Sequence, residues 1–190
     1  MSVYNLTVVD SSLKKAYCYM WDESEASRGA NEIASCTCDF VEMKVKEGIT
    51  EFHFWTDNCS AQNKNKYLYS LYTYLCSKYN VKIYNKYLES GHTYNDCDTV
   101  HSTIEKAARR KDIHVPSQWQ EIVKNARKSG DALTVVKMNG KMKDFHQLAE
   151  QYQQWNHKEA KWSKVKDFHV TPLSPGKVFV KHHLQEETYQ

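Results

Sequence analysis

The alternation of short apolar strands with amphipathic helices along the first 110 residues is the strongest constraint on the fold. Residues 4–9 and 16–21 place aromatic and β-branched side chains around a polar turn, which predicts a β-hairpin. Apolar residues at helical spacing predict helices at residues 28–47, 66–79, 96–110, 117–128 and 145–155. Further strands are predicted at residues 51–55 (buried), 81–87, 133–137 and 177–181. This order is typical of an α/β layer fold with a mixed sheet and flanking helices.

Composition limits the class of protein. The chain has 190 residues, 41% hydrophobic and 13% aromatic, which favours a folded domain over a disordered chain. No apolar run approaches the ~18–20 residues that cross a bilayer, and the opening MSVYNLTVVDSS lacks the pattern of a secretory signal. We therefore expect a nuclear or cytoplasmic protein, not secreted and without a membrane partner, whose six cysteines are free thiols.

Charge is distributed unevenly, although the net charge is only +3. Residues 1–100 carry a net charge of −3, and residues 101–190 carry +6. Basic clusters around an aromatic side chain suit phosphate contacts with base stacking, but they also fit solvated helix faces. The candidate nucleic-acid contacts in this half are Arg109, Arg110, Lys161, Trp162 and Lys164. The predicted organisation is a core at residues 2–112, a helical extension at 113–155, and a basic tail with short strands or disorder at 156–190.

A polar segment follows the predicted strand at residues 51–55. In open α/β sheets, ligands bind beyond the carboxyl ends of the strands, so Asp57 is placed to hold a divalent cation. An aspartate at this position can equally cap the loop that follows. The residues after it, Gln62, Asn63 and Lys64, are polar and partly basic, so they could meet phosphate or be solvated.

A second group of candidate ligands lies on the helix predicted at residues 96–110. Asp98, His101 and Glu105 are spaced at i, i+3 and i+7, so they share one face of that helix. Carboxylate and imidazole together suit Mg²⁺ or Mn²⁺, or Zn²⁺ where more of the ligands are nitrogen. The alternative, which we favour from these residues alone, is an acidic helix start with Asp96 as the N-cap.

Three segments together resemble a known family. They are YCYMWDE…RGANEIASC at residues 17–36, FWTDNCSAQNKN at residues 54–65 and LESGHTYNDCDTVHSTIEKA at residues 88–107. They are similar to a family of transposon-derived metazoan proteins of unassigned function, in which an SDNC-GQNKN string after a strand precedes a GHT-D-VH–IE string. The resemblance covers roughly residues 3–125 and is specific as a combination. It implies an RNase H-like fold related to the DDE-type transposases.

The resemblance also implies residue roles. Asp57 matches the acid after the fourth strand of an RNase H-like sheet, and Asp98 matches the later, helix-borne acid; both would be catalytic. The implied metal ligands are Asp57, Asp98, His92, His101 and Glu105. The implied nucleic-acid contacts of the loop are Asn58, Gln62, Asn63 and Lys64. With Mg²⁺ or Mn²⁺, such a site would activate water and stabilise the leaving oxygen in phosphodiester cleavage.

The same resemblance implies an incomplete sheet. The hairpin would supply the second and third strands of an RNase H-like order, so the central first strand and its catalytic acid would precede Met1. We expect a domain whose ancestral reaction was DNA transposition, with an incomplete and inactive metal site. The alternative is a non-catalytic module that binds nucleic acid, with DNA as the candidate partner, or another protein.

Overall fold

The computed structural model describes residues 1–59, 62–88, 95–151 and 162–189. Within these residues the chain forms two mixed β-sheets and five α-helices. The strands are β1 (Val3–Asp10), β2 (Lys15–Asp22), β3 (Glu51–Thr56), β4 (Lys82–Tyr87), β5 (Thr134–Lys137), β6 (Asp167–Val170) and β7 (Phe179–Lys181). The helices are α1 (Ala30–Lys46), α2 (Lys66–Tyr79), α3 (Asp96–Ala108), α4 (Pro116–Lys124) and α5 (His146–Gln151), with a short 3-10 helix at Trp162–Lys164. In these ranges, no helix has the length and apolar character needed to span a membrane.

The chain divides into two compact units, each made of two separate stretches. Unit 1 contains Met1–Arg28 and Tyr94–Met142. Its β1–β2 hairpin is antiparallel, and β5 pairs parallel to β2. Helices α3 and α4 pack on this sheet through one apolar cluster. The buried members of that cluster are Ala16, Cys18, Met20, Val100, Ile104, Val123, Ala126 and Leu133.

Unit 2 contains Gly29–Thr93 and Lys143–Gln190, built around a sheet with the order β3-β4-β6-β7. Strands β3 and β4 are parallel, whereas β6 is antiparallel to both of its neighbours. Aromatic contacts join α2 to one face of this sheet. The ring of Tyr72 stacks on Phe54 with centroids 5.7 Å apart and packs on Phe168 at 5.9 Å. This packing anchors β3 beside α2, so the loop that connects them is held at both ends.

Several predictions about local structure are confirmed. The mixed α/β class and the hairpin are as expected, and α2 begins and ends at the predicted residues. All six cysteines are free. Helix α3 ends at Ala108 because Arg109 takes an extended conformation, with ψ of 129°. The prediction that residues 51–55 form a buried strand is wrong for one face: Phe52 is 6% exposed, but Trp55 is 54% exposed.

Strand pairing differs from the RNase H-like expectation. That expectation joined the hairpin and β3 in one sheet, but β1 and β2 share a sheet with β5, and β3 shares another with β4. The free edge of β2 is taken by β5 and that of β4 by β6, so both sheets are completed by strands from the second half of the chain. Strand β6 lies in the predicted basic tail, where Phe168 is fully buried.

Candidate functional site

The loop between β3 and α2 contains the strongest sequence motif, and its first acid is used inside the loop. Asp57 is exposed and follows the last residue of β3. Its Oδ1 accepts hydrogen bonds from the backbone N–H of Cys59 at 3.0 Å and from Nδ2 of Asn63 at 2.6 Å. The carboxylate therefore links the two ends of the loop, as an aspartate that caps a turn does.

Backbone hydrogen bonds close the same loop. The N–H groups of Gln62, Asn63 and Lys64 all point to the carbonyl oxygen of Cys59, at 3.2, 2.7 and 3.2 Å. Asn65 is the N-cap of α2, and its Oδ1 accepts from the N–H groups of Tyr67 and Leu68 at 3.0 and 3.2 Å. These bonds satisfy the first amides of the helix. The bonds to the carbonyl oxygen of Cys59 turn the N–H groups of Gln62, Asn63 and Lys64 into the loop, away from any phosphate.

Lys64 is buried inside this loop, with only 7% of its surface exposed. Its Nζ donates to Oδ1 of Asn58 at 2.6 Å and to the carbonyl of Ser163 at 3.2 Å. The same ammonium lies 4.7 Å from the ring centroid of Tyr87. Burial, together with the nearby positive charge of Lys166, lowers the pKa of Lys64 to about 8. Lys64 therefore contacts Asn58 and Ser163 rather than solvent. We call residues 57–59 and 62–65 the closed loop.

The second predicted acid is part of a helix cap. Asn95 is the N-cap of α3, and its side chain accepts from the N–H of Cys97 at 3.2 Å. Asp98 returns the contact, because its Oδ2 accepts from the N–H of Asn95 at 3.1 Å. This reciprocal arrangement is a capping box. The alternative of an acidic helix start is therefore confirmed, with the cap one residue earlier than the predicted Asp96.

The predicted metal ligands are divided between the two units. Asp57 belongs to unit 2, whereas Asp98, His101 and Glu105 belong to unit 1; His92 lies outside the described residues. In the part of the chain that the structure describes, no three His, Cys, Asp or Glu side chains could hold a metal ion together. Asp57 and Asp98 each accept structural hydrogen bonds, Asp57 through Oδ1 and Asp98 through Oδ2.

The predicted basic contacts differ in exposure. Arg109 and Arg110 are exposed beyond the end of α3, and Lys164 is exposed in the 3-10 helix. Trp162 is half-buried and packs on the ring of Tyr69, with centroids 4.7 Å apart. Lys161 lies outside the described residues. The three exposed cations are therefore available to an anionic ligand, while the indole contributes to packing within unit 2.

Sequence reasoning missed the exposed face of the unit 2 sheet. Alternate residues of EFHFWT and KIYNKY face outward, and cross-strand register aligns these positions with residues of β6 and β7. We call this surface the open face: His53, Trp55, Lys82, Tyr84, Lys86, His169 and Lys181. Its signal in the sequence was the period of two in β3 and β4, which the interpretation of β3 as a buried strand overlooked.

Comparison with known families places the chain in a family defined by sequence. The model of the family described as "Domain of unknown function (DUF7869)" matches residues 6–186, almost the whole chain. No curated protein and no solved structure matches the chain significantly. The match spans both units and includes the closed loop, the α3 cap and the open face. The chain therefore belongs to the DUF7869 family.

Proposed function

We propose that this chain is a transposon-derived, RNase H-like domain that has lost its ancestral metal-dependent phosphodiester cleavage and acts by binding nucleic acid. The ancestry is supported by the three matching segments at residues 17–36, 54–65 and 88–107. The mixed α/β class fits this ancestry, although the described strands form two sheets where an RNase H-like domain has one.

The observation that carries the loss of cleavage is the use of both motif acids as caps. A hard cation needs carboxylate oxygens that are free to coordinate it. Oδ1 of Asp57 already accepts two hydrogen bonds, and Oδ2 of Asp98 accepts the N–H of Asn95. Each acid thus has a structural role that accounts for its position in the motif without a metal.

Retained binding is supported by the exposed cations. Arg109, Arg110 and Lys164 are all exposed, in a half of the chain whose net charge is +6. Exposed basic side chains bind the phosphate backbone and release counterions as they do so. We therefore expect affinity for nucleic acid that falls steeply as salt concentration rises.

A cleavage assay tests the first part of the proposal. The purified chain and its Asp57→Asn variant are incubated with single-stranded and duplex DNA in Mg²⁺ or Mn²⁺. The side-chain amide of this variant would keep an oxygen that accepts from Cys59 and Asn63 but would lack the negative charge of a metal ligand. We expect neither protein to cleave DNA. Metal-dependent cleavage by the wild type that disappears in Asp57→Asn would overturn the proposal.

A binding titration tests the second part. The affinity of the chain for labelled DNA is measured at several salt concentrations, with an Arg109→Ala/Arg110→Ala double variant beside it. Losing two phosphate contacts should reduce the slope of log affinity against log salt by about 2. Absence of any DNA binding at low salt would contradict the retained function.

A further inference from the structure

The open face carries exposed aromatic rings on the side of β3 opposite to the rings that pack against α2. Within the described sheet order, β3 is an edge strand. The rings of Phe52 and Phe54 in this strand stack on each other, and the ring of Phe54 also stacks on Tyr72 of α2. The opposite side carries His53 and Trp55, whose exposed fractions are both 54%. A patch of exposed rings, unlike a single exposed apolar residue, is a candidate binding surface.

Among the described residues, the rings of the open face form a row with one free end. Register places His53 opposite Tyr84, and Tyr84 opposite His169. Their rings are nearly parallel, with centroids 4.5 and 4.0 Å apart and interplanar angles of 5° and 8°. At the far end the row is closed by Phe179 and Tyr189, whose rings lie 5.6 and 5.4 Å from His169. At the edge strand, His53 is the last ring of the row within the described ranges, so a further flat ring can stack there.

Trp55 provides a second stacking surface beside this end. It lies two residues beyond His53 on the same strand, which corresponds to roughly 7 Å along the strand. Nζ of Lys86 lies 5.0 Å from its ring centroid, and the ring remains more than half exposed. Two flat surfaces at this spacing have room for one base each.

Lysines supply the charge that a polynucleotide needs. Lys82 and Lys86 are on the same face of β4. Lys181 in β7 lies directly opposite Asp167 in β6. Among the acids, Asp167 is buried, and this burial raises its pKa; Glu51 is exposed and bonded to Lys82 and His53. Lysine is depleted in protein–protein interfaces, whereas lysines beside exposed aromatic rings are typical of single-strand binding.

We infer that the open face binds single-stranded nucleic acid, with one base stacked on His53, the next on Trp55, and the phosphates near Lys82, Lys86 and Lys181. The inference rests on the proposed nucleic-acid binding and assigns that binding a surface and a strandedness. A duplex cannot bind the open face in this way, because its bases are already stacked on each other and are not free to stack on His53 and Trp55.

Fluorescence anisotropy with labelled oligo-dT and oligo-U of about 12 nucleotides tests this inference, with a duplex of equal length alongside. Trp55→Ala should weaken single-strand binding about tenfold or more, whereas Trp55→Phe should keep most of it. Lys86→Ala should weaken it by a smaller factor. The matched controls in unit 2 are Leu173→Ala, at an apolar side chain 86% exposed, and Lys177→Ala, at an exposed lysine in the turn before β7. Both should bind as the wild type does, and the two oligomers tell DNA from RNA.

The outcomes separate this inference from the proposed function. If Trp55→Ala, shown by circular dichroism to be folded, binds single strands like the wild type while Arg109→Ala/Arg110→Ala is weakened, the open face is not the site and the proposed function stands. If the wild type binds neither single strands nor duplex, both fail. Loss of single-strand binding in Trp55→Ala with unchanged duplex binding is the expected result.

Discussion

The closed loop and the open face are neighbours in unit 2, joined through β3, yet they use polar and aromatic residues in opposite ways. In the closed loop, Asp57, Asn58 and Lys64 are held by hydrogen bonds within the loop, and Lys64 is 7% exposed. On the open face, Trp55 and His53 are more than half exposed. The comparison shows that polar residues of the strongest motif hold the fold together, whereas the exposed rings next to them, which we propose as a binding surface, were not among the site residues predicted from the sequence.

The largest expected effect is on stability, at Lys64. Lys64→Ala removes the ammonium that lies over the Tyr87 ring and takes away the donor to Oδ1 of Asn58 and to the carbonyl of Ser163. We expect the free energy of unfolding to fall by about 2–3 kcal/mol in urea denaturation. Lys66→Ala, at an exposed lysine two residues on, should change it by less than ~0.5 kcal/mol. Equal losses of unfolding free energy in Lys64→Ala and Lys66→Ala would contradict a structural role for Lys64 in the closed loop.

The next effect is at the cap of α2. Asn65→Ala removes the acceptor for the N–H groups of Tyr67 and Leu68 and should cost about 1 kcal/mol of unfolding free energy. Asp57→Asn keeps an accepting oxygen in place and should be close to neutral. A strong destabilisation by Asp57→Asn would show that the charge, rather than the loop hydrogen bonds, is what the position requires.

A pH series sharpens the description of Lys64. Burial lowers its pKa in the folded protein to about 8, below the ordinary 10.5, so the unfolded chain binds more protons between these values. This contribution to stability is complete above pH 10.5 and is lost as the pH falls through about 8. Buried thiols act oppositely: the pKa of Cys18 is raised to about 11, so its contribution is lost as the pH rises above 9.

The measurement is therefore a difference between two proteins. Urea denaturation of the wild type and of Lys64→Ala at about pH 7.5 and about pH 10 cancels the thiols, which both proteins share. We expect the stability advantage of the wild type to be larger at the higher pH. A constant difference would mean that the Lys64 ammonium is as well solvated in the folded protein as in the unfolded chain.

The smallest stability effect is expected on the open face. Trp55→Ala should lower the free energy of unfolding by less than about 1 kcal/mol, even though single-strand binding should be weakened. Phe52→Ala, at the buried neighbour on the other face of β3, should cost about 3 kcal/mol and serves as the matched control. Two similar values in thermal or urea melts would argue that Trp55 is part of the core.

Local structure was predicted best where a single pattern decides it. Apolar residues of α2 recur on one face from Lys66 to Tyr79, and the helix has those bounds. The alternative interpretation of Asp98 as part of a helix start was also available, because acids favour the first turn of a helix. For Asp57 the sequence permits both capping and metal binding, because an aspartate followed by a polar loop occurs in both.

The pairing of the strands and the exposure of the side chains could not be predicted from local sequence patterns in this way. The short strands β5 and β6 carry weak signals, and each pairs with a strand far away in sequence. The burial of Lys64 depends on Tyr87 and Ser163, which reach it only after β4 and the 3-10 helix are in place. The ring row from His53 to His169 joins three strands, so no single segment contains it.

The order of residues alone determined the element types, the hairpin, the span of α2 and the mixed α/β class, because these depend on contacts within a few residues. Tertiary structure alone decided that the strands divide into two sheets, that Lys64 is enclosed and that His53 and Trp55 remain exposed. The physical reason is that sheet edges and side-chain solvation are set by long-range partners. Whether a lysine or an indole meets water depends on which distant strand pairs beside it.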